Sequence, residues 1–284
     1  MTRAVAALAL VVAVSSSASA AAAPRPVPNF RHVIVFVFEN KESPDVIGSG
    51  AAPTFDALGK RYASITNYDG VAHPSLPNYL ALVSGSTHGI TSDCTSCTVS
   101  APSLADTLAA KRKTWKTYAE GLPSPGWDGA TAGRYAKKHN PFLYFTRIKR
   151  SERLKRIVPL ERFSSDVAQG RLPDFSLVVP DLCHDMHDCS VATGDAWLKQ
   201  FTKPLLGSRK LARSVIFVVF DEGTTGSGGG GHVAALALGP LVRPGSTFAG
   251  RTNHYGLLRT IEDAWGLPRL GRSKTARAIT GIWR

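Results

Sequence analysis

Residues 32–40 read HVIVFVFEN. From Val33 to Phe38 every side chain is apolar and either β-branched or aromatic. A strand with one wet face would alternate, whereas an unbroken apolar run suits a parallel sheet covered by helices on both sides. Residues 175–179 (FSLVV) and 214–220 (SVIFVVF) repeat the pattern, and 233–238 is a fourth candidate. Helical patterns lie between them at 54–63, 77–83, 103–110, 195–201 and 257–265. Strands alternating with helices predict an α/β fold, a doubly wound, mainly parallel sheet sandwiched by helices. Residues 119–166, rich in Gly, Pro and basic side chains, are expected to form an irregular cap or insertion over the site. There is no internal repeat and no long low-complexity linker, so 24–284 is expected to be one domain.

The polar residues that follow these runs carry the chemistry, because ligands of an open parallel sheet sit beyond the carboxyl ends of its strands. The first run ends in Glu39-Asn40 and the third in Asp221-Glu222, followed by GTTGSGGGG at 223–231. After the second comes PDLCHDMHD at 180–188, with Asp181, His184, Asp185, His187 and Asp188. Taken singly, such residues cap helices or make turns. Gathered at one sheet edge, so many carboxylates would repel one another without a cation among them. Oxygen donors with some imidazole suit Ca²⁺, Mg²⁺, Mn²⁺ or Fe, and a richer histidine set would favour Zn²⁺.

Residues 72–90 read AHPSLPNYLALVSGSTHGI. Ser75, between Pro74 and Pro77, precedes an apolar helical pattern and has two readings. It is either an N-cap serine with proline in the first turn or a hydroxyl presented where a helix start welcomes a phosphate. Metal coordination would make that hydroxyl a competent nucleophile. Asn78 could supply an amide donor to a phosphate oxygen.

The N-terminus has Arg3, the apolar run AVAALALVVAV and small residues ending in Ala18-Ser19-Ala20. That is the layout of a secretory signal over 1–23, too short an apolar run for a membrane anchor. Export favours disulfides for the four cysteines, Cys94, Cys97, Cys183 and Cys189. Three pairings are open, and the two close pairs suggest Cys94–Cys97 and Cys183–Cys189. A zinc ribbon would need a second C-x-x-C, which is absent. The formal charge of +13 favours anionic partners. The densest basic run, RIKRSERLKR at 147–156, is a candidate for attraction to acidic membranes. No motif for specific nucleic-acid reading and no transmembrane segment after the signal is found, and a monomer is expected.

The segment HPSLPNYLALVSGSTHGI (73–90) resembles the nucleophile segment of the alkaline phosphatase superfamily. The resemblance is closer still to its secreted acid phosphatase and phospholipase C phosphoesterase family. VIVFVFENKE (33–42) is similar to that family's opening strand, and GRYAKKHNPFLYF (133–145) to its K-H-x-P segment. PDFSLVVPDLCHDMHDCSVATGDAWL (173–198), VIFVVFDEGT (215–224) and NHYGLLRTIEDAWGL (253–267) match the remaining blocks in order. The chain looks most like the short bacterial exported acid phosphatases of the phosphatidylinositol-3-phosphatase type. The resemblance implies an alkaline-phosphatase-like fold with Ser75 as nucleophile and metal ligand. Glu39, Asn40, Asp221 and Glu222 would complete the metal shell. Asp185 and His187 would ligate a second ion or donate to the phosphate and leaving group, His187 serving as the acid. Lys138 and His139 would contact phosphate, and Asn78 would orient a non-bridging oxygen. Glu39 stands where two-zinc relatives carry Asp, and Glu222 where they often carry His, so one divalent ion is the preferred cofactor. His232 and His254 are further candidates.

The expected function is therefore an exported, metal-dependent acid phosphatase that hydrolyses phosphate monoesters through a phosphoserine. Phosphatidylinositol 3-phosphate at a membrane surface is a candidate substrate. The alternatives are a phospholipase C-type diesterase, disfavoured because the lipases of the family are longer, and a non-enzymatic exported protein that binds anionic lipid. A nuclease would need an aromatic stacking platform, and none is found.

Overall fold

A computed structural model describes residues 1–2 and 26–284. The export signal expected over 1–23 therefore lies, beyond its first two residues, outside the described residues. The core is an eight-stranded sheet. In chain order its strands are β1 (Val33–Phe38), β2 (Ala63–Ile65), β3 (Trp115–Ala119), β4 (Ile157–Pro159), β5 (Phe175–Val179), β6 (Val215–Phe220), β7 (Ala235–Leu238) and β8 (Ser246–Phe248). Their spatial order is β8-β2-β7-β6-β1-β5-β3-β4. All pairings are parallel except the two made by β7. The sheet is thus mainly parallel, as the unbroken apolar runs require. The fourth expected strand turned out to be its one reversed member. The other four strands were not legible beforehand: three have only three residues each, and WKTYA in β3 interrupts its apolar pattern.

Among the described residues six helices of seven or more residues flank the sheet: α1 (Pro53–Arg61), α2 (Ser75–Ser84), α3 (Leu104–Ala110), α4 (Glu161–Gln169), α5 (Val191–Leu206) and α6 (His254–Trp265). Strand period two sends Phe36 and Phe38 to one face, where they meet Phe163 of α4, Trp197 of α5 and Phe55 of α1 at ring separations of 5.4–6.1 Å. Phe217 points to the opposite face and contacts Trp283, which also packs on Phe30. Trp265 of α6 donates to the Phe30 carbonyl on that side, and α2 packs against α6. Helix ends are fixed by side chains as much as by propensity. The Asp195 carboxylate of α5 accepts from Thr54 and Phe55 at the start of α1. Gly85 ends α2 at φ 71°, and any side chain there would collide with the Leu270 carbonyl.

The expected cap over 119–166 is shorter than its bounds: 157–159 is the edge strand β4 and 161–166 begins α4, because their apolar side chains are buried in the sandwich. The stretch before them is irregular chain with a two-stranded ribbon and short turns of 3₁₀ and α-helix. Phe142, Leu143, Tyr144 and Phe145 are fully buried, and Phe142 lies 4.5 Å from the Trp115 ring. This packing carries Lys138 and His139 to the carboxyl edge of the sheet. Both expected disulfides are present, Cys94–Cys97 and Cys183–Cys189. No helix among the described residues is long and apolar enough to cross a membrane.

Candidate active site

The register Phe38↔Phe220 makes β1 and β6 end side by side, so Glu39 and Asp221 leave adjacent strands at one level. The Asp221 N–H donates to the Phe38 carbonyl and the Glu39 N–H to the Asp185 carbonyl. Three chain segments are thereby laced together. Ser75 is the first residue of α2, not its cap: Pro74 occupies the cap position, and the Leu76 N–H is satisfied by Asp93 from a distant loop at 2.9 Å. The serine hydroxyl is left to the site. Its Oγ lies 2.9 Å from Glu39 Oε2 and 3.1 Å from Glu222 Oε1, and the residue is 1% exposed.

The surrounding carboxylates are strained electrostatically. Burial raises Asp221 well above the carboxylate range, and the charges of Glu39 and Glu222 push the same way. Burial also raises Glu39, against the pull of His139, and raises Glu222, against the pull of His73. Asn40 Oδ1 and Asp221 Oδ2 are buried without a hydrogen-bond partner. Buried polar atoms are rarely left unpaired, and three neighbouring buried acids, two of them on one hydroxyl, call for a cation. Carboxylates, an amide oxygen and a hydroxyl form a hard donor set, so Glu39, Asn40, Ser75, Asp221 and Glu222 fit one divalent ion.

Glu39 links this group to a second one. Its Oε1 accepts from the Tyr79 hydroxyl at 2.5 Å and lies 3.2 Å from His139 Nε2. His139 Nδ1 is 3.4 Å from Asp185 Oδ2, and Glu39, His139 and Asp185 form a buried trio able to hold an ion. Burial pulls His139 down to about 4 and lifts Asp185 to about 7. The Asp185 carboxylate accepts from the His187 N–H at 2.7 Å, while the His187 ring, one-third exposed, is bound through Nδ1 to Asp188. Lys138 reaches Asp93 at 3.1 Å; burial opposes its charge, but Glu39 and Asp93 hold its ammonium above the ordinary value.

Two expected residues take positions different from those anticipated. The Asn78 amide braces the turn before the serine, accepting from Val71 and Ala72 and donating to Ala72 and Pro74, so its polar atoms are engaged there. His139 lies beneath Glu39 at 1% exposure and not at the mouth. The acidic block at 180–188 divides: Asp185 and His187 face Glu39 and His139, whereas Asp181 and His184 turn to Glu120 in a separate half-buried group. His254 is buried with Nε2 2.5 Å from the Asp221 carbonyl, and His232 contacts the Thr66 carbonyl at 3.0 Å.

Sequence reasoning missed His73, Tyr79, Asp93 and Glu42. His73 pairs with Glu222 and with the Thr225 carbonyl; burial opposes its charge, but these two partners hold it above its ordinary value. Glu42 accepts from the backbone of Thr224, Thr225 and His232, tying down the glycine-rich loop from beneath. His73, Tyr79 and Glu42 lie within segments already singled out, so adjacency was their signal. Asp93 offered none.

The model of the Phosphoesterase family matches residues 49–268. A phosphatidylinositol-3-phosphatase of Mycobacterium tuberculosis is 35% identical over 260 residues, covering 90% of this chain and 84% of that protein. An acid phosphatase of Aspergillus fumigatus is 31% identical, covering 81% of this chain and 54% of that protein. Among solved structures, a protein in the alkaline phosphatase superfamily from Vibrio parahaemolyticus superposes with a TM-score of 0.62 at 15% identity. That match spans 89% of this chain and 72% of the other, and it shows the likeness of fold.

Proposed function

This chain belongs to the Phosphoesterase family, and from that premise we propose that it is an exported phosphomonoesterase with Ser75 as nucleophile and one divalent metal ion as cofactor. The observation that carries the reading is the Ser75 hydroxyl, buried between two carboxylates while Asn40 Oδ1 and Asp221 Oδ2 lack partners. A divalent ion held by Glu39, Asn40, Ser75, Asp221 and Glu222 would favour the serine alkoxide and offset charge on the phosphate oxygens.

The chain's own residues account for the remaining roles. Ser75 Oγ attacks phosphorus in line as the alcohol leaves, and water then cleaves the phosphoserine and restores the hydroxyl. Glu39 Oε2 and Glu222 Oε1 are the proton acceptors within reach of Oγ. His187, oriented by Asp188 through Nδ1, protonates the leaving oxygen from its other nitrogen. Lys138 provides a cation at the mouth. His139 and Tyr79 fix Glu39, and Asn78 fixes the turn that aims Ser75. The two disulfides support export, because such bonds persist in oxidising compartments. Phosphatidylinositol 3-phosphate, for which the mycobacterial relative is named, is the first lipid substrate to examine.

Release of inorganic phosphate from an aryl phosphate tests this reading. The purified chain should turn over, Ser75→Ala should be inactive, and a chelator should abolish activity that added divalent metal restores. Turnover surviving in Ser75→Ala would remove the nucleophile, and turnover surviving chelation would remove the metal.

A further inference from the structure

Gly228 of the glycine-rich loop lines an open cleft of about 450 Å³. Arg251, Arg272 and Arg277 line it together with Asp69, Asn253 and Tyr255. All three arginines are exposed, yet each is held in place. Arg272 sits over the Tyr255 ring at 5.6 Å and Arg277 over the Phe248 ring at 5.5 Å, contacts that orient a guanidinium without neutralising it. A side chain at Gly250 would overlap the Arg277 guanidinium, so glycine there leaves the room it occupies. Arg251 is bound to Asp69 Oδ2 through Nε, which leaves its terminal nitrogens toward other acceptors. Among the described residues neither Arg272 nor Arg277 forms an ion pair.

Three guanidiniums against one carboxylate leave two positive charges, the complement of a phosphate monoester dianion. Planar guanidinium forks bind phosphate oxygens in pairs, and pre-oriented side chains lose little freedom on doing so. The cleft is also tied to the serine site. Asp69 lies six residues before Ser75, Gly70 donates to the Gly231 carbonyl, and His254, next to Asn253, touches the Asp221 carbonyl. We propose that the cleft of Arg251, Arg272 and Arg277 is a second phosphate-binding site, distinct from the serine site, for a phosphate monoester group carried in solution or on a lipid headgroup.

Arginine-selective modification with phenylglyoxal, mapped by mass spectrometry, reads this site in the intact chain without using turnover. Inorganic phosphate should slow modification of Arg272 and Arg277 severalfold relative to chloride at equal ionic strength, leaving exposed Arg150 unaffected. In the Ser75→Ala chain, vesicles of phosphatidylcholine with phosphatidic acid should protect the same pair where pure phosphatidylcholine does not. Protection by inorganic phosphate identifies a soluble ligand, and protection by the vesicles alone identifies a headgroup. Absence of protection in both arms, or equal protection by chloride or of Arg150, overturns the site.

Discussion

Tyr79 donates to one oxygen of Glu39 while the Ser75 hydroxyl meets the other, so a single buried carboxylate is held at both ends. A hydrogen bond to a charged group contributes about 1.5–3 kcal/mol, so Tyr79→Phe should lower kcat by about tenfold or more with the fold intact. Steady-state kinetics beside circular dichroism would check it, and unchanged kcat would show that Glu39 needs no such support. Glu262 presents a different case, remote from the serine. Burial raises it from the ordinary 4.5 to about 7, although Ser273 and the Leu270 N–H both donate to it. An acid raised in the folded state holds its proton more tightly there. Its contribution is fully present below about 4.5 and is lost as pH rises through about 7. Glu262→Gln should therefore gain on the wild type in Tm as pH rises across that window, and a constant gap would refute the assignment.

At the scale of elements, the Cys183–Cys189 bridge closes the segment that carries Asp185 and His187. Replacing both cysteines with serine should cost about 2 kcal/mol of stability, the low end for a short loop. It should also depress kcat at temperatures where the sheet remains folded, because the bridge aims two site residues. Full activity in that variant would mean that the loop is positioned by its hydrogen bonds alone. The basic run at 147–156 is paired in part. Lys149 pairs with Asp128, Arg153 with Asp106 and Lys155 with Glu152, and Arg156 lies over Trp115. Arg147 and Arg150 of that run stay exposed, whereas Arg251, Arg272 and Arg277 form no run and converge only in space.

For the molecule as a whole, three neighbouring carboxylates raised by burial, Glu39, Asp221 and Glu222, mean that the fold without a cation carries an electrostatic penalty. Chelation should lower Tm by about 5–10 °C, reversibly on adding divalent metal, if the ion binds the folded chain well below its working concentration. A Tm indifferent to chelation would exclude a resident ion. The sheet centre was legible in 32–40, 175–179 and 214–220 because a strand buried on both faces must be apolar at every position. The same logic located Glu39, Asn40, Asp221 and Glu222, since residues ending parallel strands share one edge. The paired disulfides followed from proximity in sequence. Short edge strands and the reversal of β7 were hidden, since a three-residue strand has no period and direction leaves no mark on composition. Sequence also could not show that Asn78 turns inward, that His139 lies beneath Glu39, or that Asp93 closes the start of α2. What the sequence by itself determined is which residues end the buried strands. Which of them meet, and which distant side chains hold them, was decided by tertiary packing, because contacts such as Ser75–Glu39 and Glu42–His232 join positions 36 and 190 residues apart that no local pattern couples.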